Sequence, residues 1–274
     1  MAEFTGTTGT VHYGHWEPAQ PQALVVFLHG LGEHIGSYRT LFDTLTAAGV
    51  AVWAADHAGH GRSEGERVLI EQIDHLIDDA AYLVDLAHKA HPDLPLVLVG
   101  HSLGSAVATL LTVERLPLTD VRPAGLVLTG SSLVQTGEVS GLVALLASGI
   151  DPMSLRKDPG DLTRNTEYAQ YVREDPFTWQ GGLRPQTLQA LAEAAPRLAT
   201  AVTSDELTVP VLLLHGEDDD LAPVEGARRA SELLPDARLV TFPLDRHNIL
   251  NEIDRDEVHR TLVEFVLAVS PAVG

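Results

Sequence analysis

The chain has 274 residues, of which 45% are hydrophobic and 20% are charged, values typical of a globular protein with a substantial core. Its 38 acidic and 18 basic residues give a formal net charge of -20, which disfavours nucleic acid and anionic membranes as partners because both are negatively charged. The absence of cysteine excludes disulfides, thiolate metal sites and a cysteine nucleophile.

The N-terminal residues show no feature of a targeting segment. They lack both the basic flank and the apolar core of a signal peptide, so we expect a cytoplasmic protein. The most apolar window away from the predicted strands, residues 142–150, is far shorter than the ~20 residues that span a bilayer.

Apolar runs alternate with helical stretches over the first half of the chain. Strands are predicted at 24–28, 50–54, 96–99 and 125–129, and helices near 37–48, 72–90 and 103–115. This alternation predicts an α/β fold, with a mostly parallel sheet flanked by helices on both faces.

The alternation stops between residues 131 and 208, where helical pieces, prolines and glycines replace strands. It resumes with a strand at 209–215, a helix near 224–234, a strand at 237–242 and a helix near 250–268. We therefore expect a core formed by residues 1–130 and 209–274, with residues 131–208 inserted as a helical cap. Such a cap can exclude water from a site and shape its pocket, although a helical insertion without a role in binding remains an alternative.

The sequence GHSLG at residues 100–104 follows an apolar run directly and precedes a helical segment. Glycines on both sides of Ser102 permit a sharp strand-to-helix turn that exposes the serine hydroxyl. The pattern predicts a nucleophile elbow, provided that a base and an acid follow; without them the serine is only a helix cap.

A serine nucleophile requires a histidine, and His247 occupies the favoured place, in the loop after the last predicted strand. His215 ends a strand and His259 lies inside the last helix, so we expect both to be structural. The order serine, acid, histidine is typical of elbow-containing sheets and places the acid in the cluster at residues 217–220.

Spacing within the acidic cluster does not separate Asp219 from Asp218 and Asp220, and Asp245 is a further alternative although it lies very near the histidine in sequence. We choose Asp219. The oxyanion formed during acyl transfer needs two donors, for which we predict the backbone N–H groups of Leu103, after the nucleophile, and Leu31, in the glycine-rich loop after the first predicted strand.

The segment at residues 56–65 combines two histidines with carboxylates, but its spacing matches no common zinc signature. No dinucleotide or phosphate-binding glycine pattern follows the first predicted strand. We therefore predict neither a metal nor a cofactor.

Several motifs together resemble the monoacylglycerol lipase-like family of the α/β-hydrolase superfamily. They are HGLGEH at 29–34, DHAGHGRSEG at 56–65, GHSLG at 100–104, LLHGEDD at 213–219 and the single residue His247. The family pattern H-G-x-x-D falls on residues 215–219, so the resemblance implies Asp219 as the acid, Ser102 as the nucleophile and His247 as the base. It also implies Leu31 and Leu103 as the oxyanion donors.

The resemblance implies a serine hydrolase that cleaves monoacylglycerols to glycerol and fatty acid without a cofactor, with a small lipid ester as its substrate. Alternatives are a short-chain carboxylesterase, a thioesterase, a lysophospholipase, or a ligand-binding protein of the same fold without activity. Many relatives have Arg-Tyr after the HGLGEH loop, where this chain has Ser37 before Tyr38. Glu33 is for this reason only a candidate contact to the substrate headgroup.

The apolar stretch at residues 141–150 permits two interpretations. It could contact a lipid surface transiently and collect substrate, or it could pack over the pocket.

Overall fold

A computed structural model of the protein describes residues 2–131, 133–134 and 148–270. The described residues include a sheet of eight strands, whose bounds are β1 (Ala2–Thr5), β2 (Thr10–Trp16), β3 (Ala23–Leu28), β4 (Val50–Ala55), β5 (Leu96–His101), β6 (Gly125–Thr129), β7 (Val211–Gly216) and β8 (Ala237–Phe242). Six of these strands coincide with the predicted ones.

The strand order is β1-β2-β4-β3-β5-β6-β7-β8. Strands β3 to β8 run parallel to one another, whereas β2 pairs antiparallel with both β1 and β4. The sheet is thus mostly parallel, as predicted. The two N-terminal strands were not predicted, because their apolar residues are interrupted by polar residues and glycine.

The described helices are α1 (Arg39–Ala47), α2 (Ile73–Ala90), α3 (Leu103–Leu110), α4 (Pro159–Leu162), α5 (Thr166–Glu174), α6 (Pro185–Thr203), α7 (Val224–Leu233) and α8 (Arg255–Ala268). A π-helical turn, Leu111–Arg115, continues α3 to the end of the predicted helix. Among the residues that the structure describes, no helix has both the length and the apolar character needed to cross a membrane.

Strand β3 divides the core into two layers. Leu24 and Val26 pack in the layer that contains residues of α2 and α3, whereas Val25 and Phe27 pack in the layer that contains residues of α1 and α8. All of these side chains are buried, and each fully buried large apolar side chain stabilises the fold by about 1.5–3 kcal/mol relative to exposure. The helices on both faces therefore keep the central strands in a fixed register.

Helices α4, α5 and α6 lie between β6 and β7 in the sequence, and we call residues 148–208 the inserted segment. Two of these helices begin where the sequence supplies a capping side chain. Asp158 accepts a hydrogen bond from the Gly160 N–H at 2.8 Å, and Asn165 accepts one from the Tyr168 N–H at 3.1 Å. Residues 132 and 135–147 of the predicted cap lie outside the described residues.

The parallel register brings the carboxyl ends of four strands to one edge of the sheet. His101 of β5 pairs with Thr129 of β6, Thr129 pairs with Leu214 of β7, and Gly216 pairs with Phe242 of β8. The loops after these strands therefore meet, and they carry the serine, the acidic cluster and the histidine predicted from the sequence.

Candidate active site

Ser102 lies at the turn between β5 and α3, with φ 50° and ψ -114°. A positive φ at a residue with a side chain costs roughly 1–3 kcal/mol, so the surrounding contacts must hold it in place. One such contact is the hydrogen bond from the Ser102 N–H to the Thr129 carbonyl, at 2.9 Å. The turn leaves the serine hydroxyl partly exposed at the edge of the sheet.

The two glycines of the turn permit a close approach between α3 and the sheet. A Cβ at Gly104 would overlap the carbonyl oxygen of Leu28, and a Cβ at Gly100 would overlap the carbonyl of Gly104. Both overlaps are with backbone, which cannot move aside easily. The strand, the turn and the helix are thus in the arrangement that the motif predicts.

His247 lies in the loop between β8 and α8, between the serine and the acidic cluster. Its Nε2 is 3.0 Å from the Ser102 hydroxyl, which donates to it, and its Nδ1–H donates to Oδ2 of Asp219 at 2.8 Å. Both His247 and Asp219 are buried. The three predicted residues therefore form one chain of hydrogen bonds.

Asp219 accepts three hydrogen bonds and lies close to a second imidazole. Its Oδ1 accepts from the N–H groups of Leu221 and Ala222 at 2.9 and 2.8 Å, while its Oδ2 faces the imidazoles of His247 and His215, the latter at 3.3 Å. Burial alone would raise the pKa of the Asp219 carboxyl, but the nearby imidazoles of His215 and His247 and the hydrogen bond from the Ala222 N–H outweigh it and hold this pKa below its usual range. The carboxylate is therefore ionised at neutral pH.

The other candidate acids have different surroundings. Asp218 and Asp220 are exposed, and Asp220 pairs with Lys157. Asp245 is buried but forms an ion pair with Arg164. Burial and neighbouring carboxylates raise the pKa of Asp245 to about 7.

The loop after β3 contains Leu31 and packs against the start of α3, where Leu103 is the first helical residue. The first N–H groups of a helix have no partner within it, so the Leu103 N–H is available as a donor. That Leu31 and Leu103 bind one oxyanion stays a prediction.

Glu33 stabilises this loop. Its Oε2 accepts hydrogen bonds from the Gly30 N–H at 3.0 Å and from the Tyr38 hydroxyl. Burial, followed by the negative charge of Glu33, raises the pKa of the Tyr38 phenol well above its usual value, so the hydroxyl remains a donor. A contact between Glu33 and the substrate stays a prediction.

Three buried histidines, His29, His57 and His60, lie beside the loop after β3. The His57 N–H donates to Nε2 of His29 at 2.9 Å, and the His57 ring donates to the His29 carbonyl at 3.1 Å. Burial, followed by repulsion from the His60 imidazole, lowers the pKa of His57 to about 3, and burial lowers that of His60 to about 4. Each ring contacts a backbone carbonyl, which is typical of neutral structural histidines.

Among the described residues, one group has carboxylates close enough to bind a cation together: Asp245, Glu252 and Asp254. The Arg164 guanidinium lies against all three, with a separation of 2.6 Å from Asp254 and 3.5 Å from Glu252. This group therefore already contains its counter-charge.

Sequence reasoning missed one histidine of the site, His101. The His101 ring lies 5.1 Å from the His247 ring and donates through Nδ1 to the Thr129 hydroxyl at 2.9 Å. Burial lowers the pKa of His101 to about 4, so it adds no positive charge beside His247 at neutral pH. His215, predicted to be structural, donates to the Ala222 carbonyl and also contacts Asp219. The available signal for His101 was its position directly before Ser102 in the GHSLG motif.

The inserted segment contacts the loop after β3. The backbone N–H of Trp179 donates to the Gly32 carbonyl at 2.8 Å, and the His34 ring donates to the Asp175 carboxylate. Arg62 stacks over the Phe177 ring, 4.2 Å from its centroid. Of the apolar stretch at 141–150, only residues 148–150 are among those described. The predicted contact of this stretch, with a lipid surface or with the pocket, therefore falls mainly on residues outside the described ones.

Comparison with known proteins supports the family indicated by the motifs. The monoacylglycerol lipase of Mycolicibacterium smegmatis is 32% identical over 97% of this chain and 96% of that protein. The monoglyceride lipase of Homo sapiens is 34% identical over 80% of this chain and 73% of its own length. The crystal structure of the Paleococcus ferrophilus monoacylglycerol lipase has a TM-score of 0.78 and 29% identity, and covers 95% of this chain and 99% of that one. Residues 19–254 match the family described as "Serine aminopeptidase, S33" (Hydrolase_4), and the chain belongs to this family of α/β-hydrolases.

Proposed function

We propose that the protein hydrolyses carboxylic esters, monoacylglycerols in particular, through an acyl-enzyme on Ser102. The observation that carries this proposal is the 3.0 Å contact between the Ser102 hydroxyl and Nε2 of His247, whose Nδ1–H is bound by Asp219. This arrangement activates a serine toward a carbonyl carbon.

In the first half of the reaction, Ser102 Oγ attacks the ester carbonyl while its proton passes to Nε2 of His247. The carbonyl oxygen becomes an oxyanion, for which the N–H groups of Leu31 and Leu103 are the donors. The imidazolium then gives its proton to the alcohol oxygen as the C–O bond breaks. Asp219 remains ionised and stabilises the positive charge on His247.

In the second half, water enters and His247 removes its proton. The resulting attack on the acyl carbon forms a second oxyanion at the same donors, and collapse returns the proton to Ser102 Oγ with release of the carboxylic acid. Every proton transfer uses His247, and none requires a cofactor.

The substrate class is supported by the relatives described above, which are named as lipases of monoacylglycerol or monoglyceride. Two of them are similar over nearly the whole chain. We further propose that residues 131–208 act as a cap over the site, because Trp179 and Asp175 contact the loop that carries Leu31.

We also propose a transient contact of this cap with lipid surfaces. The apolar sequence at 141–150 supports it, as does the exposure of Ile150 and Met153 at the edge of that stretch. The net charge of -20 favours uncharged over anionic lipid. Flotation with phosphatidylcholine vesicles should therefore recover more protein than flotation with phosphatidylserine vesicles, and no recovery with either would refute the contact.

Hydrolysis of a substrate series tests the function. We expect turnover of long-chain monoacylglycerols to exceed that of di- and triacylglycerols and of acetyl or butyryl esters. Ser102→Ala should abolish it, whereas Ser204→Ala, at an exposed serine, should not. A preference for short-chain esters, thioesters, lysophospholipids or aminoacyl anilides would replace the proposed substrate class, and hydrolysis by Ser102→Ala would refute the mechanism.

A further inference from the structure

Glu252 is fully buried five residues after His247, and the reaction described above does not use its carboxylate. Its Oε1 accepts hydrogen bonds from the N–H groups of Arg246 at 3.1 Å and Arg164 at 2.9 Å. Its Oε2 accepts from the Ile253 N–H at 3.1 Å. One carboxylate thus joins the residue before His247 to the inserted segment.

Arg164 supplies the charge that allows Glu252 to be buried. The Nε of Arg164 lies 3.5 Å from Oε2 of Glu252, and its Nη2 binds the carboxylates of Asp245 and Asp254. A buried carboxylate without a nearby cation would strongly destabilise the fold. We call Arg164 and Glu252 the clasp, because together they connect the loop between α4 and α5 to the segment at 245–254.

Backbone hydrogen bonds reinforce this connection on both sides of the clasp. The Asn248 N–H donates to the Leu162 carbonyl at 2.8 Å, and the Asn165 side-chain amide donates to the Asn251 carbonyl at 3.0 Å. The residue after His247 is therefore bound to the inserted segment directly, and the residue before it is bound through Glu252.

The sheet core holds the other side of the same loop. The Asp245 carbonyl accepts a hydrogen bond from the Asp218 N–H at 2.9 Å, in the loop that carries Asp219. The backbone of His247 is consequently placed by contacts from both the core and the inserted segment. Because a displacement of about 1 Å at a reacting group can reduce turnover ~100-fold, either set of contacts can limit catalysis.

We propose that Glu252 and Arg164 are positioning residues that hold His247 at its working distance from Ser102, and so couple the inserted segment to turnover. This inference rests on the ester hydrolysis proposed above. Neither residue touches Ser102 or His247 side-chain atoms in a described hydrogen bond; both act through the backbone of residues 246–253.

Two variants test the clasp. Glu252→Gln keeps the side-chain shape but replaces one acceptor oxygen with an amide, which cannot accept from the Ile253 N–H. Arg164→Met removes the guanidinium and leaves its backbone N–H in place. For each folded variant we expect kcat on monoacylglycerol to fall about tenfold or more, with KM within about twofold, because the loss affects His247 and not substrate binding. The rate of Ser102 labelling by a fluorophosphonate should fall in parallel.

Arg197→Met is the matched control. Arg197 lies on α6 of the same inserted segment, is exposed to a similar extent, and pairs with Asp74 at 2.9 Å and with Glu114, far along the chain from the His247 loop. Its loss should lower the melting temperature while leaving kcat within about twofold. Arg164→Lys, which keeps the charge, should recover part of the kcat lost in Arg164→Met.

The outcomes separate this inference from the proposed function. If the wild-type protein neither hydrolyses esters nor is labelled, the proposed function fails. If it does both, and folded Glu252→Gln and Arg164→Met retain wild-type kcat, the positioning role is overturned. Should Glu252→Gln not fold, Arg164→Met decides: a lower melting temperature with unchanged kcat, as in Arg197→Met, contradicts the proposal.

Discussion

Two buried aspartates flank His247, and their environments have opposite effects on their charge. Asp219 accepts hydrogen bonds from two backbone N–H groups and from His247, and lies close to His215; together these contacts overcome burial and hold its pKa below the usual range. Around Asp245, burial dominates, and the neighbouring carboxylates of Asp254 and Glu252 add to it. The pKa of Asp245 is raised to about 7, although Arg164 partly offsets the rise.

The difference shows that burial alone does not decide whether a carboxyl group is ionised. Donors stabilise the charged form, whereas nearby carboxylates favour a proton. Asp219 therefore stays negative beside the imidazole that becomes cationic during turnover. Asp245, which precedes His247 by two positions in the sequence, carries a proton for part of the time at neutral pH.

The largest expected effect is on activity. Asp219→Asn removes the charge that stabilises the His247 imidazolium. It also favours the His247 tautomer with its proton on Nε2, which cannot accept the serine proton, so kcat should fall by about 10³–10⁴. Asp218→Asn, at the exposed neighbour, is the control and should remain within about twofold of wild type. Steady-state ester hydrolysis measures both, and equal losses in the two variants would show that the acid is not assigned correctly.

The second prediction concerns stability in acid. Because the folded pKa of Asp219 is depressed, its ionised form stabilises the fold above its unfolded pKa of about 3.9, and this contribution is lost as pH falls through the folded value. Urea unfolding should show that wild type is more stable than Asp219→Asn at pH 6, with a gap that narrows below pH 4. A gap independent of pH would mean that the Asp219 pKa is not depressed.

The third prediction has the opposite sign. Because the folded pKa of Asp245 is raised to about 7, the unfolded chain releases the Asp245 proton from about pH 4 upward while the folded protein retains it, so the stability of wild type falls between pH 4 and 7. Asp245→Asn imitates the protonated state and should remove this part of the pH dependence. The free energy of unfolding of the variant should exceed that of wild type at pH 8; a lower value would contradict the raised pKa.

The smallest expected effect distinguishes between the causes of the raised Asp245 pKa. Asp254 is partly exposed, and its charge and hydrogen bond are the main contributions after burial that raise the Asp245 pKa. Asp254→Asn should therefore move the titration of Asp245 toward lower pH without returning it to its ordinary value. Carboxyl ¹³C chemical shifts followed from pH 4 to 9 measure this change, and an unchanged titration would show that Asp254 does not contribute to the raised pKa.

The fold was largely predictable because its signals are local. The apolar runs of β3 to β7 lie next to glycines and prolines, and Gly100 and Gly104 reveal the turn at Ser102. The position of His247 follows from strand order. By contrast, spacing could not choose among the aspartates at 218–220, because the choice depends on which side chain is turned toward the imidazole.

The remaining features depend on contacts between distant residues. Arg164 and Glu252 are 88 positions apart, and no pattern near either residue indicates the other. His101 lies within a recognised motif, yet its contact with Thr129 appears only when β5 and β6 pair. The pKa values of Asp219 and Asp245 likewise follow from neighbours that the fold assembles.

Reaction with a fluorophosphonate, followed by peptide mapping by mass spectrometry, tests directly whether Ser102 is a nucleophile activated by His247 and Asp219. We expect a single adduct on Ser102 in wild type, slower labelling in Asp219→Asn and no adduct in Ser102→Ala. An adduct on another serine, or no adduct on folded wild-type protein, would contradict it.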